Sequence, residues 1–109
     1  MNSVPVAEFY QILQNLPQNE IAIDVRTHEE RNEGYIVGTT HVPLDELPSK
    51  MDVIKLKYGK IYFQCRSGKR SADACTAFMQ SGFVNVYNVT GGIVEWERAG
   101  FLVDRGRNG

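Results

Sequence analysis

The chain has 109 residues, 42% of them apolar and 23% charged, with a formal net charge of −1. That length suits one ordinary globular domain, residues 1–109, burying roughly two-thirds of the surface that its unfolded form exposes. The composition excludes a disordered or fibrous chain, and no apolar run approaches the ~18 residues of a membrane-spanning helix.

In chain order, Pro5 stands near a helix start, and Val6, Phe9, Ile12, Leu13 and Leu16 continue a stripe at helical spacing until Pro17 ends it. Glu20 to Val25 is almost continuously apolar and β-branched, the pattern of a strand covered on both faces. Thr27, followed three residues later by Glu30, predicts a capping box that opens a short helix stopping at Gly34. Tyr35 to Gly38 is a loop, and His41 to Pro43 a very short strand. Asp45 to Lys57 reads as helical but contains Pro48, so two pieces are expected.

Lys60 to Gln64 is a second buried strand. Beyond residues 65–70, Ala72, Cys75, Phe78 and Met79 mark one face of a helix ending near Gly82, and Val84 to Val89 is a third substantial strand. Gly91 and Gly92 open a last helix, which carries Trp96 and closes at Gly100. Strands alternating with helices predict an α/β fold, a doubly wound parallel sheet with helices on both faces. In such sheets ligands bind beyond the carboxyl ends of the strands, and the strand ending at Gln64 delivers Cys65 to that edge.

The stretch Cys65-Arg66-Ser67-Gly68-Lys69-Arg70 concentrates the chemistry. Ser67 and Gly68 permit a tight turn whose N–H groups point inward, and the helix start that follows adds unpaired N–H groups and the positive end of a dipole. Arg66, Lys69 and Arg70 place three cations within five residues of the sulfur. All of these favour thiolate over thiol, which makes Cys65 a candidate nucleophile. The plainer alternative is a small core cysteine beside a solvated charged surface. Cys75 falls on the apolar stripe and reads as that kind of inert thiol.

Six of the twelve basic residues lie between Lys55 and Arg70, while residues 1–49 hold two basic and eight acidic side chains. The basic stretch is short and the sequence pI is 6.1, so a small anion fits it better than nucleic acid. Neither a metal-ligand spacing nor a signal peptide is visible, and two cysteines in such a chain read as thiols in a cytoplasmic protein. Asp24 and Arg26 read as a structural pair pinning the first strand end, Glu30 as part of the capping box, and His28 and His41 as an exposed and a structural histidine. Trp96 reads as core with its indole N–H seeking a partner, and Gly91-Gly92 as unusual backbone or a close approach to the 65–70 loop.

Three segments together resemble the rhodanese family over nearly the whole chain. Asp24-Val25-Arg26, Glu30 and Gly34-Tyr35-Ile36-Val37-Gly38 leading to Pro43 are similar to its first signature, with Tyr35 where histidine is usual. Cys65 to Ser71 is similar to its active-site loop, and Gly91-Gly92, Trp96, Ala99-Gly100 and Val103 to its C-terminal signature. The resemblance implies a sulfurtransferase that carries sulfane sulfur as a Cys65 persulfide, with Arg66, Ser67, Gly68, Lys69 and Arg70 binding the persulfide and a donor such as thiosulfate. It implies cyanide or a thiol as acceptor, or a protein partner in a sulfur relay, and neither metal nor organic cofactor. Phosphatases and arsenate reductases of the same fold have five residues between Cys and Arg. This chain has four, between Cys65 and Arg70, a ring too narrow for phosphate. A non-enzymatic binding module remains as a further alternative.

Overall fold

The computed structural model describes residues 1–105; the last four residues of the expected 1–109 domain lie outside the described residues. Five strands, β1 (Asn2–Pro5), β2 (Glu20–Asp24), β3 (Thr40–His41), β4 (Lys60–Gln64) and β5 (Val86–Thr90), form one sheet in the order β1-β5-β4-β2-β3. Every neighbouring pair is parallel. The helices are α1 (Val6–Gln14), α2 (His28–Glu33), α3 (Leu47–Lys57), α4 (Lys69–Gln80) and α5 (Gly92–Arg98).

Side chains alternate across a strand with a period of two, so one strand feeds two cores. Ile21, Ile23, Ile61 and Phe63 join α3 (Leu47, Ile54) and α4 (Ala74, Cys75, Phe78) on one face. Ala22 and Tyr62 point the other way, toward α1 (Phe9) and α5 (Ile93, Trp96). This is the doubly wound arrangement the alternation of elements predicts. Trp96 is buried in the second core, and its indole N–H donates to the Leu102 carbonyl at 2.9 Å.

Three details differ from the sequence reading. The sequence pattern predicts no strand at β1, which pairs with β5 from Asn2 against Tyr87 to Pro5 against Thr90. Its four residues bury only Val4, too little apolar pattern to announce a strand, and Pro5 is tolerated because β1 lies at the sheet edge. The expected split at Pro48 does not occur: α3 is one helix with the proline in its first turn, where its missing N–H has no helical partner to lose. α1 ends at Gln14, before Leu16, because the residue preceding Pro17 is driven out of the helical region.

The carboxyl end of β2 is fixed by a buried ion cluster. Asp24 accepts from Arg26 Nε and Nη2 at 3.0 Å each, from the Arg26 backbone N–H at 3.0 Å, and from Arg31 at 3.2 Å. Arg26 Nη2 also donates to the Gly34 carbonyl at 2.7 Å, and Arg31 to Thr39. The predicted Asp24–Arg26 pair is thus the centre of a network that holds the α2 loop against the strand. Removing one member of a fully buried pair leaves an uncompensated charge, which costs roughly 3–5 kcal/mol. Asp24→Ala is expected to lose about that much stability in urea unfolding; a loss below about 1 kcal/mol would show that the cluster does not hold the strand end.

Candidate functional site

Cys65 follows β4 directly, at the carboxyl edge of the sheet, and is 1% exposed. The Gly68 N–H donates to its Sγ at 3.1 Å, and Ser71 Oγ lies 3.3 Å away. The N–H groups of Ser67 and Ser71 also face the sulfur. The cause lies on the other side of the loop. At the start of α5, the Ile93 N–H donates to the Cys65 carbonyl at 3.0 Å and the Val94 N–H to the Arg66 carbonyl at 3.1 Å. Gln64 Nε2 also donates to the Cys65 carbonyl, at 2.6 Å. In a trans peptide the carbonyl of one residue and the N–H of the next point in opposite directions. Carbonyls 65 and 66 drawn toward α5 therefore turn the N–H groups that follow them away from α5, and the Ser67 N–H meets the sulfur.

Two glycines make this approach feasible. Gly92 has φ +54°, and a Cβ there would fall on the carbonyl oxygens of Cys65 and Arg66. Gly68 has φ +103°, and a Cβ there would lie 3.3 Å from the Gly91 nitrogen. Both alternatives that the Gly91-Gly92 pair raised in the sequence hold at Gly92, where left-handed backbone meets the loop directly.

Burial is the largest influence on Cys65 and pushes its thiol up, but the Ser71 hydroxyl and the N–H groups of Ser71, Gly68 and Ser67 outweigh it, leaving the thiol below its ordinary value. The α4 N-terminus aims its dipole at the same point. The side-chain charges contribute less directly than expected. Arg66 and Lys69 are exposed, and neither forms an ion pair among the described residues. Arg70 is engaged: its two terminal nitrogens meet the two oxygens of Glu30 at 2.7 and 2.8 Å. Arg70 thus lines the site as half of a pair rather than as a free cation.

Glu30 does two things. It closes the predicted capping box, accepting the Thr27 N–H at 2.9 Å while its own N–H donates to Thr27 Oγ1 at 3.2 Å, and it anchors Arg70 across from α2. Its hydrogen bond to Arg70 is the main reason its carboxyl falls to about 2. Beside this pair, a cleft of about 370 Å³ is lined by Val25, Thr27, His28, Pro43, Leu44, Asp45 and Arg70.

Cys75 is buried on α4, and burial pushes its thiol up to about 12, as an inert core thiol requires. Both cysteines are free. His28 is exposed and meets Glu46 at 2.8 Å, while His41 Nε2 donates to the Arg26 carbonyl at 2.7 Å. Sequence reasoning missed Ser71 as a contact of the sulfur, Glu30 as the partner of Arg70, and Asn88, which bonds both Ser71 and Gly68. The available signals were a serine at a core position of α4 and an asparagine inside a strand.

Two consequences follow from this geometry. Gly92→Ala is expected to push carbonyls 65 and 66 away and turn the N–H groups off the sulfur, slowing alkylation of Cys65 at neutral pH by about tenfold or more; an unchanged rate would show that α5 does not orient the loop. Glu30 has a lowered pKa when folded, so its stabilisation is present above its ordinary value of 4.5 and is lost as pH falls toward about 2. Urea midpoints of the wild type and Glu30→Gln are expected to converge across that interval, and a gap that stays constant would contradict the pairing.

The sequence pattern of the rhodanese-like domain matches residues 6–99. The chain is 36% identical over 86 residues to a sulfurtransferase of Allochromatium vinosum, covering 79% of each chain. A rhodanese-related protein of Thermoplasma volcanium superposes with a TM-score of 0.80 at 27% identity, covering 97% of this chain and all of that one. A rhodanese-like domain protein of Staphylococcus aureus gives 0.74 at 28% identity, covering 88% and 91%. The sheet order, the Cys65 loop and its seat on Gly92 are thus found in a chain that belongs to the rhodanese-like domain family.

Proposed function

We propose that the protein is a sulfurtransferase that carries sulfane sulfur on Cys65. The observation that carries this reading is the set of N–H groups converging on Sγ, with Gly68 at 3.1 Å. Such a cradle suits an anion one atom beyond the cysteine, which is where a persulfide places its charge. In the first half-reaction the Cys65 thiolate attacks the outer sulfur of thiosulfate or another persulfide donor. An Sγ–S bond forms, the donor's S–S bond breaks, and sulfite or the donor thiolate leaves with the electron pair. In the second, cyanide or a thiol attacks the outer sulfur, the Sγ–S bond breaks, and the Cys65 thiolate returns.

The N–H groups of residues 66 to 70 hold the outer sulfur in this account. Exposed Arg66 and Lys69 draw in the anionic donor, and Arg70, braced by Glu30, walls one side of the loop. Displacement at sulfur is a two-electron exchange between nucleophile and leaving group, so it calls for no metal or organic cofactor. The apolar lining of the cleft from Val25, Pro43 and Leu44 suits a thiol with a carbon body, on a small molecule or on a protein relay partner, better than it suits cyanide. The domain is proposed to comprise residues 1–109, and two free thiols fit a reducing, cytoplasmic setting.

Intact-mass measurement of the reduced protein after mixing with thiosulfate tests the cycle. The expected product has gained one sulfur atom, which cyanide removes. Cys65→Ser is expected to abolish the gain and Cys75→Ser to leave it. Sulfur retained by Cys65→Ser, or no gain in the wild type with thiosulfate or an organic persulfide, would overturn the reading.

A further inference from the structure

Behind the sulfur, three side chains and one carbonyl form a line whose proton placement is fixed at one end. Asn88, half-buried on β5, places Nδ2 3.0 Å from the Gly68 carbonyl and Oδ1 2.5 Å from Ser71 Oγ. The Gly68 carbonyl has no proton, so the amide nitrogen must face it and Oδ1 must face the serine. Oδ1 has no proton either, so the Ser71 hydroxyl donates to Asn88. Ser71 has one hydroxyl proton, and with that spent it can only accept from the sulfur 3.3 Å away. The line then runs Cys65 S–H to Ser71, Ser71 O–H to Asn88, and Asn88 N–H to Gly68.

We infer that Asn88 is a positioning residue that competes with Cys65 for the single Ser71 hydroxyl proton and so limits the hydrogen bond that the hydroxyl gives the thiolate. When the thiol ionises, Ser71 faces two acceptors, Sγ and Asn88 Oδ1, with one proton between them. The backbone N–H groups serve the thiolate unconditionally; the hydroxyl serves it only by leaving Asn88. Under the proposed sulfur-transfer reading, on which this consequence rests, adding the outer sulfur removes the conflict. Sγ then holds neither a proton nor the charge, and Ser71 stays on Asn88 without a rival. Asn88 thereby favours the loaded site over the empty thiolate.

The charges around Cys65 do not account for this effect. Arg66, Lys69 and Arg70 lie on the loop and α4, Asp24 and Arg26 at the end of β2, Glu30 on α2 and Glu95 on α5. Asp24, Glu30 and Glu95 are each paired with an arginine. Asn88 brings no charge, so any effect it has on the thiol must act through hydrogen bonding.

The test is the pH dependence of alkylation by iodoacetamide, mapped to Cys65 by peptide mass, in the full chain and in Asn88→Ala, Ser71→Ala and the double variant. Asn88→Ala frees the Ser71 proton for the thiolate, so the Cys65 pKa is expected to drop by about one unit, about tenfold in ionisation. The drop should vanish in the Ser71→Ala background. A purely structural role for Asn88, bracing Gly68, predicts the opposite sign, because a loosened loop loses its inward N–H groups. An unchanged or raised pKa in Asn88→Ala, or an equal drop without Ser71, would overturn the inference. Asn88→Val, better suited to a strand, carries the same expectations should the alanine variant not fold. Alkylation needs no sulfur donor, so failure of sulfur loading and failure of this inference are read separately.

Discussion

The first N–H groups of α5 take the carbonyls of Cys65 and Arg66, and the site depends on that contact more than on any side chain. It reverses the loop's peptide planes so that their N–H groups gather on Sγ. It requires Gly92, since a Cβ would stand where those carbonyls lie. It also requires α5 to be held in place, which Trp96 and Ile93 do from the second core together with Phe9 and Tyr62. The geometry of the Cys65 loop in this sense depends on packing on the face of the sheet opposite Cys75.

The electrostatics follow from the same arrangement. Burial alone would keep Cys65 protonated, as it keeps Cys75. The difference between the two thiols, both on the α3–α4 side of the sheet, is that only Cys65 has backbone N–H groups aimed at it. Of the three loop cations, Arg70 is locked to Glu30, while Arg66 and Lys69 are exposed. In the proposed reaction, fixed dipoles hold the charge at Cys65 while the exposed cations act at longer range, where salt screens them.

Much of this was legible in the sequence because it depends on local rules. The buried strands at Glu20 and Lys60 showed as apolar runs, the capping box as Thr27 with Glu30, and the loop as a cysteine between a strand and a helix start. The doubly wound sheet followed from the alternation of elements. What could not be read was pairing between distant segments. β1 gains its identity from β5 rather than from its own four residues. Glu30 meets Arg70 across 40 positions, and Ser71 meets Asn88 across 17. The proline at position 48 misled because its effect depends on which turn of the helix it occupies, a boundary that pattern alone does not locate.

In the proposed reaction, the loop N–H groups form the seat of a sulfur carried on Cys65. A crystal structure of the protein loaded with thiosulfate tests it most directly. One additional sulfur is expected on Cys65 Sγ, lying inside the loop within hydrogen-bond reach of several N–H groups among residues 66 to 70, with carbonyls 65 and 66 still held by α5. A sulfur turned out of the loop toward solvent, or one found on Cys75, would contradict it.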